Sequence, residues 1–540
     1  MIKSYKRFLL VFSLISFLPV PAASAPCQEA AELISQAQKN VDINKSLPLY
    51  QKAIKLCPDN GEAFYLLGHL YFTRGRLSEA SESLKKASEL LPDSLPVFIA
   101  LGKVYFETKD YDKAEEYFNK ALESDKNNSV ANFDLGKVYL ARQNFGLAEE
   151  KFKLVVENDP ELNEARTNLG LIYFIFNRYE EALQEYGIVL KHNPDDEKTM
   201  FNIGLIYIEQ KEYFKAAEIL TKALKIAPSD PKVLFNLASV NVFIGELAEA
   251  ERIYKLLLKE FPDDLEILSS LALLYERWSR YDDALKICNN ILELDPELTD
   301  VRFHLGVNYF YLEKYFQAEK EFRLVLKKDP HNKEVAKSLV KTVFVQEDYE
   351  QTVKIIQDYL QESDEDLEIN YYLGLSYMEV GEKTKAVKVM SNLINHFPYD
   401  IPMISRLVDL YFDQGMYEDA RLLLERAVEL QEDNPKVHFL LGRTYLFLGK
   451  LNEALAEYNR VTEFDKNFHD LYRYKGELWL RMGRLEKAEA DLLKARKRHP
   501  YDLEALFLLT EVYKKQQNEN KVKSLLKKLG DLSHPLTQKE

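Results

Sequence analysis

The chain has 540 residues, with 87 acidic against 72 basic side chains and a formal net charge of −15. An acidic body argues against a nucleic-acid partner, whose phosphates need a basic track, and it keeps an elongated protein soluble. Length alone suggests about three or four domains, a division that the internal order of the sequence replaces.

Residues 1–25 differ from all that follows. Lys3, Lys6 and Arg7 precede an apolar run from Phe8 to Leu18, and the small-residue stretch PVPAASA closes it. This is the pattern of a secretory signal peptide, with too short an apolar run for a comfortable membrane span. Export is the expected fate, to the periplasm or envelope in a bacterium and otherwise into the secretory pathway. Any membrane association is expected only through a partner or an uncleaved leader. Cleavage takes away three positive charges and no acids, leaving −18.

From Cys27 to Leu536 the sequence repeats every 34 residues, in phase, through fifteen units. The segments LLGHLYF, ALGKVYF, DLGKVYL, NLGLIYF and NIGLIYI place Gly68, Gly102, Gly136, Gly170 and Gly204 at one spacing. The phase continues through Ala238, Ala272, Gly306, Val340, Gly374, Val408, Gly442, Gly476 and Thr510. Each unit has this small residue at position 8, usually Tyr at 11, Ala at 20, an aromatic or Leu at 24, often Ala at 27 and Pro at 32. Two helices account for the pattern: positions 4, 7, 8 and 11 form one face of a first helix, and 20, 24 and 27 the facing stripe of a second. Small side chains at 8 and 20 let the two backbones approach, and the residue at 24 fills the space above them. Proline, as at Pro160, Pro194 and Pro296, recurs where the second helix must stop.

This pattern resembles the tetratricopeptide repeat family over about 510 residues. The resemblance implies an all-α solenoid, a right-handed superhelix of antiparallel helix pairs making about two turns, with first helices inside the curve and second helices outside. Repeats 1 to 9 occupy residues 27–332 and repeats 11 to 15 residues 367–536. Between them, residues 333–366 form a degenerate repeat with Val340 for the glycine, Val343 for the tyrosine, Thr352 for the alanine and Asp364 for the proline, a possible joint. The acidic run Glu362–Asp366 closes it.

Of three cysteines, Cys288 takes the buried position 24 and reads as a reduced core thiol. Cys27 and Cys57 open and close the first repeat. An antiparallel pair sets the start of one helix beside the end of the other, so these two are expected to lie close enough for a disulfide, which export permits.

Every stretch past the leader belongs to a repeat, so no segment is left to fold as a catalytic domain. No glycine-rich phosphate loop, paired histidines at metal spacing or nucleophile motif stands out, and no catalytic residue, cofactor or metal is expected. Function is therefore sought on first-helix positions that do not serve the core. Position 6 reads Asp134, Asn168, Asn202, Asn236, Ser270 and His304 in consecutive repeats. Asparagine offers both a donor and an acceptor, which suits the backbone of an extended peptide. Rungs about 10 Å apart match roughly three extended residues. The contexts TNLG, FNIG and FNLA are similar to the asparagine ladder in the superhelix of the O-linked N-acetylglucosamine transferase family, where such amides hold a peptide; nothing resembles that family's transferase domain.

Apolar neighbours complete the candidate groove: Phe133, Phe201, Phe235 and Phe303 at position 5, Leu171, Leu205, Leu273 and Val307 at position 9, and Phe174, Ile208 and Phe310 at position 12. Outer repeats instead carry His69, Lys103, Lys137, Lys341 and Arg443 at position 9. Apolar surface confined to one stretch marks a binding site. The expected function is a non-enzymatic protein-interaction scaffold that holds an extended partner segment in this groove. The alternative is a structural arm or assembly factor of a membrane-associated export complex, meeting folded partners by its convex face.

Overall fold

The computed structural model describes residues 25–39, 43–360 and 366–533. The leader apart from Ala25, and Glu362 to Glu365 with Asp364, lie outside the described residues. Among those described are thirty α-helices, one π-helical turn and no strand, and no helix is long and apolar enough to cross a membrane. The helices come in consecutive hairpins, with a first helix at positions 1 to 13 and a second at 17 to 30, as in Leu95–Glu107 with Tyr111–Ser124. Two compact units are present, one through Pro262 and one from Asp263, dividing at the proline position of repeat 7.

The first unit contains repeats 1 to 7. Its core runs through Ala80, Ala114, Ala148 and Ala182 at position 20, all without solvent exposure, and through Leu84, Phe118, Phe152 and Tyr186 at position 24. A Cβ added to Gly102 would fall 2.5 Å from a ring carbon of Phe118, and one at Gly170 2.6 Å from the ring of Tyr186. Glycine at position 8 therefore seats the ring of position 24 on the bare backbone of the first helix. The hairpin tip is equally regular. Position 15 takes positive φ in Lys109, Gln143, Asn177 and Lys211, and the following amide closes the helix end, as in Asp110 N to Tyr105 O at 2.9 Å. At position 34, Asn60, Asn128 and Asp230 cap the next first helix with their side chains. At the N-terminal end Cys27 and Cys57 are joined as a disulfide, with Cα atoms 5.0 Å apart.

The second unit continues the plan from repeat 8. Cys288 is buried beside Ala284 and Ile291, the one free cysteine of the chain, and burial pushes its thiol up to about 12. In repeat 10 Val340, Val343 and Thr352 are all buried, so the degenerate positions still serve the core. Its second helix, Tyr349–Ile355, passes into a π-helical turn at Ile356–Leu360. Repeat 14 departs without warning from the sequence pattern: its first helix, Leu471–Arg481, starts two residues late after Asp470 at φ +63°. The residue at its capping position is Phe468, whose ring packs 4.9 Å from that of Phe439.

Candidate functional site

In the first unit, position 6 of repeats 4 to 7 ranges from buried to half-buried. Asp134 is buried between two ammonium groups, Lys103 at 3.3 Å and Lys137 at 3.4 Å. Asn168, Asn202 and Asn236 are half-buried. Asn168 donates Nδ2 to the Glu164 carbonyl and Asn236 donates Nδ2 to the Lys232 carbonyl, both at 2.9 Å and one turn back on the same helix. Asn202 lies near the phenol of Tyr186, whose pKa is raised by burial, an effect that Asn202 partly offsets. One N–H of Asn168 and one of Asn236 is thus taken up locally. The amide oxygen and second N–H are not engaged by these bonds.

The apolar neighbours divide into two kinds. Phe133 and Phe235 are half-buried and meet the position 24 rings of their own hairpins, Phe152 at 5.8 Å and Tyr254 at 5.9 Å. Phe174 meets Tyr179 at 6.0 Å across its hairpin tip. Positions 5 and 12 therefore contribute to the hairpin interior as well as to the surface; Phe201 and Ile208 are half-buried in the same way. Position 9 faces outward. Leu171 is 36% exposed, and Leu205 is half-buried.

In the second unit, repeats 8 and 9 carry the same positions. Ser270 is half-buried and Leu273 is 47% exposed. His304 Nδ1 lies 3.0 Å from Glu276 Oε2, and Asn308 Nδ2 donates to the other oxygen of Glu276 at 2.6 Å. The hydrogen bond to Glu276 holds the His304 pKa above its ordinary value, outweighing desolvation. Phe303 meets Phe322 at 5.9 Å, Phe310 meets Tyr315 at 5.5 Å, and Val307 is half-buried beside them. Farther on, Lys337 pairs with Asp366 at 2.5 Å and Lys341 with Glu368 at 2.7 Å. Among the described residues no group of three or more metal-ligating side chains is gathered.

Two features escaped the sequence pattern. Position 4, assigned to the core, holds Asn132, Arg166, Arg302 and His438, each bonded to the carbonyl six residues before it. A charged residue at a core position was the available signal. The hairpin tips also stack aromatics between successive repeats, Tyr213 on Phe243 at 4.5 Å in the first unit and Tyr281 on Tyr311 at 4.8 Å in the second.

Three segments of the chain match tetratricopeptide repeat families, at residues 235–298, 369–398 and 411–475. The chain is a tetratricopeptide-repeat protein. Residues 30–266 of this repeat protein also match the family of the cilia and flagella-associated protein 70 C-terminal domain. Among curated relatives, the DnaJ homolog subfamily C member 3 of Rattus norvegicus is 32% identical over 90 residues, 17% of this chain and 18% of that one. The Superkiller complex protein 3 of Mus musculus is 26% identical over 112 residues, 20% of this chain and 7% of that one. The chain thus spans less than a fifth of the length of these relatives. Similar solved structures include YrrB, a TPR protein with an unusual peptide-binding site, at 26% identity, covering 34% of this chain and 95% of that chain with a TM-score of 0.31. The Cut9–Hcn1 structure of the APC/C covers 91% of this chain and 97% of its own, at 17% identity and a TM-score of 0.31.

Proposed function

We propose that this repeat protein is an exported, non-enzymatic scaffold that binds an extended segment of a partner protein along the first helices of its central repeats. The fold supports the broad part of the reading, since tetratricopeptide repeats are protein-interaction scaffolds. The observation that carries the finer part is the change at position 9 beside the amide ladder. Lys103 and Lys137, ion-paired to Asp134, give way to Leu171 and Leu205, which have no charge to offer and lie next to amides with hydrogen-bonding groups to spare. Peptide amides would bond to Asn168, Asn202 and Asn236, and apolar side chains of the partner would cover the leucines. Each amide rung contributes about 1 kcal/mol net, so the rungs set register and the apolar contacts supply affinity.

Replacing Asn168, Asn202 and Asn236 together by Ala tests this on the partner recovered from the native envelope fraction. Affinity is expected to fall about a hundredfold, for roughly 3 kcal/mol lost, with the helical circular dichroism unchanged. Unchanged affinity favours the second reading, a structural arm that meets folded partners by its second helices. The exposed position 18 aromatics Phe214 (77%) and Phe316 (75%) speak for that alternative.

A further inference from the structure

Position 4 stands at the seam between a repeat and the one before it, and in three repeats, each four repeats apart, it carries a nitrogen-rich side chain with the same two duties. Arg166 donates to the Pro160 carbonyl at 3.1 Å and to Glu185 at 2.7 Å. Arg302 donates to the Pro296 carbonyl at 3.2 Å and to Glu321 at 3.0 Å. His438 has Nε2 at 2.7 Å from the Glu432 carbonyl and Nδ1 at 2.6 Å from Glu457 Oε2. The carbonyl always comes six residues before and the carboxylate nineteen residues after.

Both groups that face the imidazole are acceptors. A neutral imidazole has one N–H and would turn a lone pair toward the other oxygen at hydrogen-bond distance, whereas an imidazolium serves both. Arginine brings that charge at any ordinary pH; histidine holds it only while protonated. We infer that His438 is held in the fold as an imidazolium and that its second proton fastens the seam between repeats 12 and 13, so that this seam loosens as the solution turns alkaline while those at Arg166 and Arg302 do not.

The surroundings agree. His438 is buried on the first helix of repeat 13, Pro435–Phe447, with the ring of Phe464 5.6 Å away. The charged groups acting on it lie on the second helix of that repeat, Leu451–Phe464: Glu457, whose hydrogen bond raises the pKa, and Arg460, which opposes this more weakly. On the second helix of repeat 12, Tyr417–Leu430, Arg421 and Glu425 pair with each other at 2.6 Å. On the first helix of repeat 14, Glu477 and Arg481 pair at 2.7 Å. With the folded pKa raised, the contribution of the bond is complete below the unfolded value of about 6.5 and is lost as pH rises through the folded one.

Hydrogen exchange of the full chain across a pH series reads this directly, once the intrinsic base-catalysed rate is divided out. Protection of the helices Pro435–Phe447 and Leu451–Phe464 is expected to fall by up to about tenfold per pH unit from about pH 6.5 up to the folded pKa, and to level off above it. In His438→Arg the same helices should hold a flat profile, like those around Arg166. The same slope in both proteins, or a flat profile in the native chain, overturns the inference. Should the arginine variant not fold, histidine ¹⁵N shifts of the native protein decide: two protonated ring nitrogens at pH 7 sustain the inference, and a neutral tautomer at pH 6 ends it.

Discussion

Gly102 and Phe118 show what a single atom does in this chain. A methyl group at Gly102 would meet the Phe118 ring at 2.5 Å, in a core with no exposed surface to absorb the shift. Gly102→Ala is therefore expected to destabilise by about 1–3 kcal/mol, seen as a lower urea midpoint for helicity; an unchanged midpoint would show that the ring has room to move. The sequence spacing put small residues at positions 8 and 20 under the side chain at 24; that the Phe118 ring rests directly on the bare backbone at Gly102 is the detail it did not give. The bonds at positions 4 and 6 were hidden for a related reason: whether Asn168 turns to the Glu164 carbonyl, or Arg166 reaches Glu185, depends on rotamers and on partners many residues away.

At the scale of elements, the first repeat is tied where the others are not. Cys27 lies in the first turn of Ala25–Lys39 and Cys57 follows Ile43–Leu56, so the bond closes the hairpin of repeat 1. On loop entropy alone the link is worth about 3–4 kcal/mol to that hairpin. Cys57→Ser is expected to speed amide exchange in repeat 1 by orders of magnitude and to leave repeats 13 to 15 as they were; intact mass with and without reductant checks the bond itself. Helix boundaries were legible from the period and from the prolines that end second helices, as at Pro160 and Pro296. They were not in repeat 14, where Phe468 packs instead of capping, nor in repeat 10, where the π-helical turn leaves no mark that periodicity detects.

Over the whole molecule, a stack of hairpins distributes its stability by neighbour contacts, so unfolding need not be one event. The two tryptophans offer a check, because Trp278 and Trp479 both belong to the second unit. Fluorescence then reports that unit alone, while circular dichroism counts every helix. The two urea transitions are expected to part company, and one superimposable curve would argue for a single cooperative block.

The tie from position 4 back over six residues has a consequence for how such a chain tolerates change. At Arg166, Arg302 and His438 the connection that the side chain straddles admits one length, since an extra residue would strand a guanidinium or imidazole away from its carbonyl. Foreign sequence is better received at the hairpin tips, where lysine, glutamine, asparagine and glutamate already sit at positive φ in Lys109, Gln143, Asn177 and Glu313. Epitope tags or fluorescent inserts placed there should leave the register of the neighbouring hairpins intact.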